Sequence, residues 1–250
     1  MTEWLGLPTD LAILAICACF LAGAIRGFAG FGLSALAMAM LGSFIPPVEL
    51  LPVFWFLEMA ASLILMKGGW ADADRPTALM LMGFAAVALP FGLWFSLTAD
   101  PVLSKTVALS ILVVLGVAQL RRVKIPFLAT RPGTALAGAG AGIVAGLSGA
   151  GGMFIALYAL VRDLPARTMR GTLNIYILGG GVLGLASHLL VGTMTTQSAA
   201  RAAVLILPTL LGVALGRALF TPRYERFYKP VSLTLLIGLA AFGLARLALS

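Results

Sequence analysis

Seven apolar runs constrain this chain more than any other feature: 11–25, 48–66, 78–98, 107–120, 173–191, 202–220 and 231–245. Several approach the roughly 20 residues that cross a hydrocarbon core of about 30 Å. Charged residues make up 10% of the chain and hydrophobic ones 61%, whereas a soluble domain carries about 25% charged residues. The runs therefore read as the spans of an all-α polytopic membrane protein.

The formal charge of +8 would suggest nucleic acid in a soluble protein. Here Lys and Arg gather in short loops between apolar runs, the pattern of cytoplasmic loops. No basic stretch is interleaved with aromatics, so nucleic acid is not an expected partner. Cys17 and Cys19 lie two apart in one apolar run and point to different faces of a helix, which suits neither a disulfide nor a metal pair. The opening MTEWLGLPTD carries acids and no Lys or Arg. It lacks the basic region of a signal peptide, so a retained membrane helix is expected from Leu11.

The chain also repeats itself. Gly23, Gly27, Gly30 and Gly32 pair without a gap with Gly142, Gly146, Gly149 and Gly151, and Pro46 pairs with Pro165, all at an offset of 119. Glycine fills 29 of 250 positions, so four matches within ten positions exceed chance and argue for duplication. Pro90 and Pro208 extend the pattern at an offset of 118, and Gly116 and Gly238 at 122. The repeats are expected at 1–125 and 126–250, together one domain. Each is a helical hairpin broken at its glycines and then three longer helices. The short second arms are expected at 31–45 and 150–161. The longer helices are expected at 48–66, 76–97 and 103–121, then at 168–191, 199–219 and 228–248.

Charge sets the expected orientation. Arg121, Arg122, Lys124 and Arg131 fill the link between repeats, and Arg217, Arg223, Arg226 and Lys229 the last loop; Arg162, Arg167 and Arg170 flank the second short arm. Placing these in the cytoplasm puts the 67–75 loop, with Lys67 and Arg75, inside as well. Both termini then lie outside a bacterial inner membrane, and the two repeats are inverted, as in many secondary transporters. A short arm of about 13 residues is only about 20 Å as a helix, so the glycine-rich tips are expected to meet near the membrane centre.

Glycine breaks a helix, permits positive φ and lets a ligand approach the backbone. A broken helix exposes N–H groups without intrahelical partners, and these favour an anion. The second break, GLSGAGG, offers Gly146, Ser148, Gly149 and Gly151; the first, RGFAGFG, offers Arg26, Gly27, Gly30 and Gly32. Close helix packing by the same glycines is the competing reading. Arg26 lies deep in an apolar run, where an arginine usually faces a cavity or a partner. It is either a contact for a substrate anion or the ion-pair partner of Glu58, and a pair that opens to ligand satisfies both. Trp55, Thr172 and Asn174 lie on the helices after the breaks, and Asn174 falls opposite Trp55 at the 119 offset. His188 is a gating or coupling candidate, as Glu58 is.

Gly146-Leu147-Ser148-Gly149 also has the form of a rhomboid-like intramembrane serine protease, with His188 as the base. The repeat partner of Ser148 is Ala29, however, so the glycine frame is duplicated and the serine is not. A dyad needs hydrogen-bond contact, and His188 is expected near the outer end of its helix, away from mid-membrane Ser148. No catalytic residue, metal ligand or cofactor is assigned, and no nucleotide motif is present.

The order of GFAGFG with Pro46, GLSGAGG with Pro165, and RGTLNIY at 170–176 resembles the TauE/SafE family of membrane transporters, also grouped as sulfonate-uptake permeases. The resemblance covers nearly the whole chain. It implies secondary transport, as an exporter, of small organosulfur or related anions such as sulfite, sulfoacetate or other sulfonates. A passive anion channel of similar architecture is the alternative. The expected partners are the small anion and the lipid bilayer, and a homodimer is allowed.

Overall fold

The computed structural model describes residues 6–66, 73–162, 165–219 and 222–249. Lys67 and the first five residues lie outside them. All regular structure in the described residues is helical. The first half holds α1 (Thr9–Ala29), α2 (Leu33–Leu41), α3 (Pro47–Leu65), α4 (Arg75–Thr98) and α5 (Pro101–Leu120). A 3-10 turn, Pro126–Ala129, leads into the second half: α6 (Arg131–Ser148), α7 (Gly151–Val161), α8 (Ala166–Val191), α9 (Thr196–Ala218) and α10 (Pro222–Leu249).

Seven of these, α1, α3, α4, α5, α8, α9 and α10, are long and apolar enough to cross a membrane. The chain is a multi-pass membrane protein. At 9 and 11 residues, α2 and α7 are only about 14 and 17 Å long, too short to span alone. The largest departure from the expected boundaries is at 222–229, which, expected as a charged loop up to 227, is the first two turns of α10. Proline at the first helical position suits a helix start, and Pro222 occupies it despite the charges that follow.

Side-chain caps set four of the other helix starts. Asp74 accepts the N–H of Thr77 at 3.3 Å to cap α4. Asp100 accepts those of Val102 and Leu103 to cap α5. Thr130 caps α6 through Gly133. Thr195 and Ser198 form a reciprocal capping box on α9. Each cap satisfies N–H groups that the helix leaves without partners.

The two breaks share one device. Gly30 ends α1 and Gly149 ends α6, both in the left-handed region at φ 84° and 71°. Each donates its N–H back four residues, to Arg26 O and Ala145 O, both at 2.9 Å. A residue with a Cβ adopts this φ only under strain, so the 119-residue glycine match marks two equivalent stops.

Helix packing exchanges between halves. The two most extensive interfaces are α4 with α6 and α1 with α9. Taking the helices of each half in order, these are the same contact made reciprocally. The same holds for α4 with α8 and α3 with α9, while α5 meets α10 and α3 meets α8. Small residues let the backbones close. A Cβ on Gly23 or Gly27 would overlap the carbonyl of Thr209 or Val213 on α9; one on Gly142 would overlap Ala85 O on α4, and one on Gly146 would lie 2.5 Å from Leu93 N. Each pair is a Gly-x-x-x-Gly frame, which brings membrane helices into backbone contact.

Candidate functional site

The broken ends touch. A Cβ built on Gly149 would lie 3.0 Å from the Cβ of Ser34, and one on Gly152 would lie 3.9 Å from the Cβ of Phe31. Beside this junction is a cavity of about 130 Å³. The first turn of α2 contributes Ser34; the second break contributes Gly149, Gly151 and Gly152; α3 contributes Leu51, Phe54, Trp55, Glu58 and Met59. From α8 come Tyr176, Ile177, Gly180, Gly181, Gly184 and His188, and from α4 come Ala85, Ala86 and Leu89. The α8 residues follow a helical spacing, so the cavity runs along one face of that helix for about 18 Å.

The two helix N-termini at the junction differ. At α2, Glu58 Oε1 accepts the backbone N–H of Ser34 at 3.3 Å and its hydroxyl at 2.9 Å. Glu58 Oε2 lies 3.1 Å from Arg26 Nε. A carboxylate of the chain itself thus holds the position that a helix N-terminus offers to an anion. At α7 the first intrahelical bond is Phe154 N–H to Ala150 O, and no carboxylate of the cavity wall is hydrogen-bonded to the turn before it.

Arg26 is fully buried in the last turn of α1. Its Nη2 donates to Ser62 Oγ at 2.8 Å and to Asn174 Oδ1 at 3.3 Å. Asn174 Nδ2 in turn donates to Ser62 O at 3.3 Å. Nη1 and Nε have no hydrogen-bond partner among the described residues, and neither does Glu58 Oε2, which Nε faces as an ion pair. Arg26 and Asn174 are therefore brought together one layer behind the cavity, and Glu58 connects them to it.

The remaining candidates divide clearly. Trp55, Gly149, Gly151 and His188 line the cavity with Glu58. Trp55 Nε1 donates to Gly181 O at 2.8 Å, tying α3 to α8 across it. The His188 Nδ1 and Thr193 Oγ1 are 2.8 Å apart at the end of α8. Gly32 faces a separate, apolar cleft with Phe31 and Leu36. Gly27 and Gly146 sit in the helix crossings, and their carbonyls accept from Arg170 Nη2 (3.0 Å) and Ser96 Oγ (2.8 Å). Gly30 packs against the Arg170 side chain. Thr172 accepts the N–H of Asp74 at 3.0 Å, at the start of α4.

Ser148 is fully buried and donates to Val144 O at 3.0 Å, one turn back in its own helix. The hydrogen bonds of Ser148 and His188 are made to other groups, so the pair is not arranged as a dyad. Of the two cysteines, Cys17 is exposed and Cys19 buried, both free. No group of three or more metal-ligating side chains occurs among the described residues.

Sequence reasoning did not single out Ser34, Tyr176 or the glycines at 180, 181 and 184. The i, i+4, i+8, i+12 stripe from Tyr176 to His188 was available as a signal. What it faces was not, because that depends on where α3 and α4 lie.

No curated protein and no solved structure matches the chain. A family model described as "Sulfite exporter TauE/SafE" matches residues 15–243. That match spans both breaks, the cavity and all but the ends of the outermost helices, and on it the chain belongs to the TauE/SafE sulfite exporter family.

Proposed function

We propose that the protein is a secondary transporter that exports small anions, sulfite, sulfoacetate or other sulfonates among them, across a bacterial inner membrane. The observation that carries this is the junction of the two glycine-capped breaks beside a cavity. One helix N-terminus there is filled by Glu58, and the other, that of α7, opens on the cavity through Gly151 and Gly152. An anion at α7 gains N–H groups and the positive end of the helix dipole. Its contact is with the backbone, and the left-handed cap at Gly149 is what presents it.

The reciprocal helix packing supports reading 1–125 and 126–250 as inverted repeats that move against each other around one site. With the arginines of the link and of 162–170 in the cytoplasm, the cavity runs from the breaks toward the outer end of α8. Arg26 serves the site through Glu58, and its unpartnered Nη1 is available to a substrate anion when the pair opens. Gly27 and Gly146 serve the site by fixing the crossings that place the breaks.

The test is flux in proteoliposomes. Labelled sulfite or methanesulfonate should move saturably and respond to an imposed proton or sodium gradient. Unsaturable flux indifferent to both gradients would mean a channel. Cysteine labelling from each side should find 121–131 inside and both termini outside; an external link would end the inverted-repeat reading.

A further inference from the structure

We infer that the cavity selects a monoanion with a short apolar tail, held head-first by Tyr176 and the first turn of α7, over a bare oxyanion or a dianion. This rests on the anion site proposed above and adds the substrate class and the residue that sets it.

Tyr176 is 6% exposed. Its hydroxyl is 3.2 Å from where a Cβ on Gly151 would sit, and both residues line the cavity. No hydrogen bond to another described residue ties that hydroxyl, and its residue faces the cavity. A buried tyrosine usually finds one, and an unpartnered donor beside a helix N-terminus is placed for a ligand oxygen. Glu58, the acid in the cavity wall, is held by Arg26 and Ser34, so its charge is matched within the protein. The carboxylate is not free to accept a cationic end of a ligand.

Beyond Tyr176 the cavity continues between Trp55, Met59 and Leu89 along the α8 glycines. The Trp55 indole N–H is already bonded to Gly181 O, so the stretch between Tyr176 and His188 presents apolar surface. A second charge placed there would lose its water without a partner. At about 130 Å³ the space exceeds what a bare sulfite fills. It approaches the roughly 150 Å³ that accepts a small hydrocarbon ring in another protein. Each added methylene buried there should tighten binding about fourfold, until the far end near His188 is reached. Sulfonate and carboxylate heads share the recognition chemistry.

The experiment is binding to the detergent-purified full chain, by calorimetry. The probes are sulfite, sulfoacetate, methanesulfonate, propane-1-sulfonate and butyrate. Propane-1-sulfonate should bind at least tenfold more tightly than sulfite or sulfoacetate, with butyrate showing whether the head must be a sulfonate. Tyr176→Phe should weaken propane-1-sulfonate about tenfold with thermal stability unchanged. At Gly180 a Cβ meets its nearest neighbour at 3.9 Å, so Gly180→Val adds its bulk on the cavity side, and its thermal stability is measured beside its binding. It should cut propane-1-sulfonate affinity while sparing methanesulfonate. Sulfite or sulfoacetate binding as tightly as propane-1-sulfonate, or full affinity in Tyr176→Phe, overturns this inference and leaves the transporter reading standing. Binding of none of the five overturns both.

Discussion

Glu58 Oε1 accepts both the backbone N–H and the hydroxyl of Ser34, at 3.3 and 2.9 Å, so the N-terminus of α2 already holds an anion that belongs to the protein. Its other oxygen lies 3.1 Å from Arg26 Nε. The intramembrane arginine is therefore matched by an opposite charge at ion-pair distance, which offsets part of its cost in a low-dielectric setting.

Removing one member of that pair should be severe. Arg26→Ala leaves Glu58 without its cation and removes the donor to Ser62 and Asn174. A loss of about 3–5 kcal/mol is typical for a broken buried pair. Arg26→Lys should retain part of the stability, because an ammonium supplies charge without the planar fork. The double change Arg26→Ala with Glu58→Ala should recover folding. Thermal unfolding in detergent measures stability, and anion binding to the same samples separates the roles. Wild-type affinity in the double variant would make Arg26 structural only.

Ser148 and its neighbouring glycines should behave oppositely. The Ser148 hydroxyl bonds only Val144 O in its own helix, so Ser148→Ala should cost no more than about 1 kcal/mol and keep transport. Gly149→Val places a branched side chain at φ 71° and 3.0 Å from Ser34, and Gly151→Val would meet Ala141 O at 2.8 Å. Both should abolish flux. A dead Ser148→Ala beside active valine variants would return a chemical role to the hydroxyl.

Gly27 and Gly146 should respond as packing positions. A methyl at either collides with the backbone of the crossing helix, and overpacking of this kind typically costs about 1–3 kcal/mol. Gly27→Ala and Gly146→Ala should lower the unfolding temperature, with anion affinity little changed in the fraction that folds. Lost affinity at unchanged stability would place these glycines at the ligand instead.

The spans and both breaks were legible in the sequence because each has a local cause. Apolar length sets the spans, and the breaks need a residue that tolerates positive φ, which Gly30 and Gly149 supply. The start of α10 was hidden because charges at 223–229 read as loop, whereas Pro222 starts a helix there. The site was legible only in part. Arg26 and Glu58 stood out as charges in apolar runs. Their assembly with Ser34, Ser62 and Asn174 depends on contacts between α1, α2, α3 and α8 that no periodicity encodes. Tyr176 entered only as the last residue of RGTLNIY, since a tyrosine in an apolar helix is ordinary until its hydroxyl is seen beside the second break.

The central claim is that substrate occupies the cavity between the breaks, and protection of a cysteine placed there tests it most directly. Leu89→Cys lies in the cavity wall, and Leu190→Cys, exposed near the end of α8, is the control; both are made with Cys17 replaced by serine. Reaction with N-ethylmaleimide is followed with and without a transported anion. The account predicts that the anion slows labelling at Leu89→Cys in proportion to its affinity and leaves Leu190→Cys unchanged. Equal labelling rates at Leu89→Cys with and without an anion that the same variant still transports would contradict it.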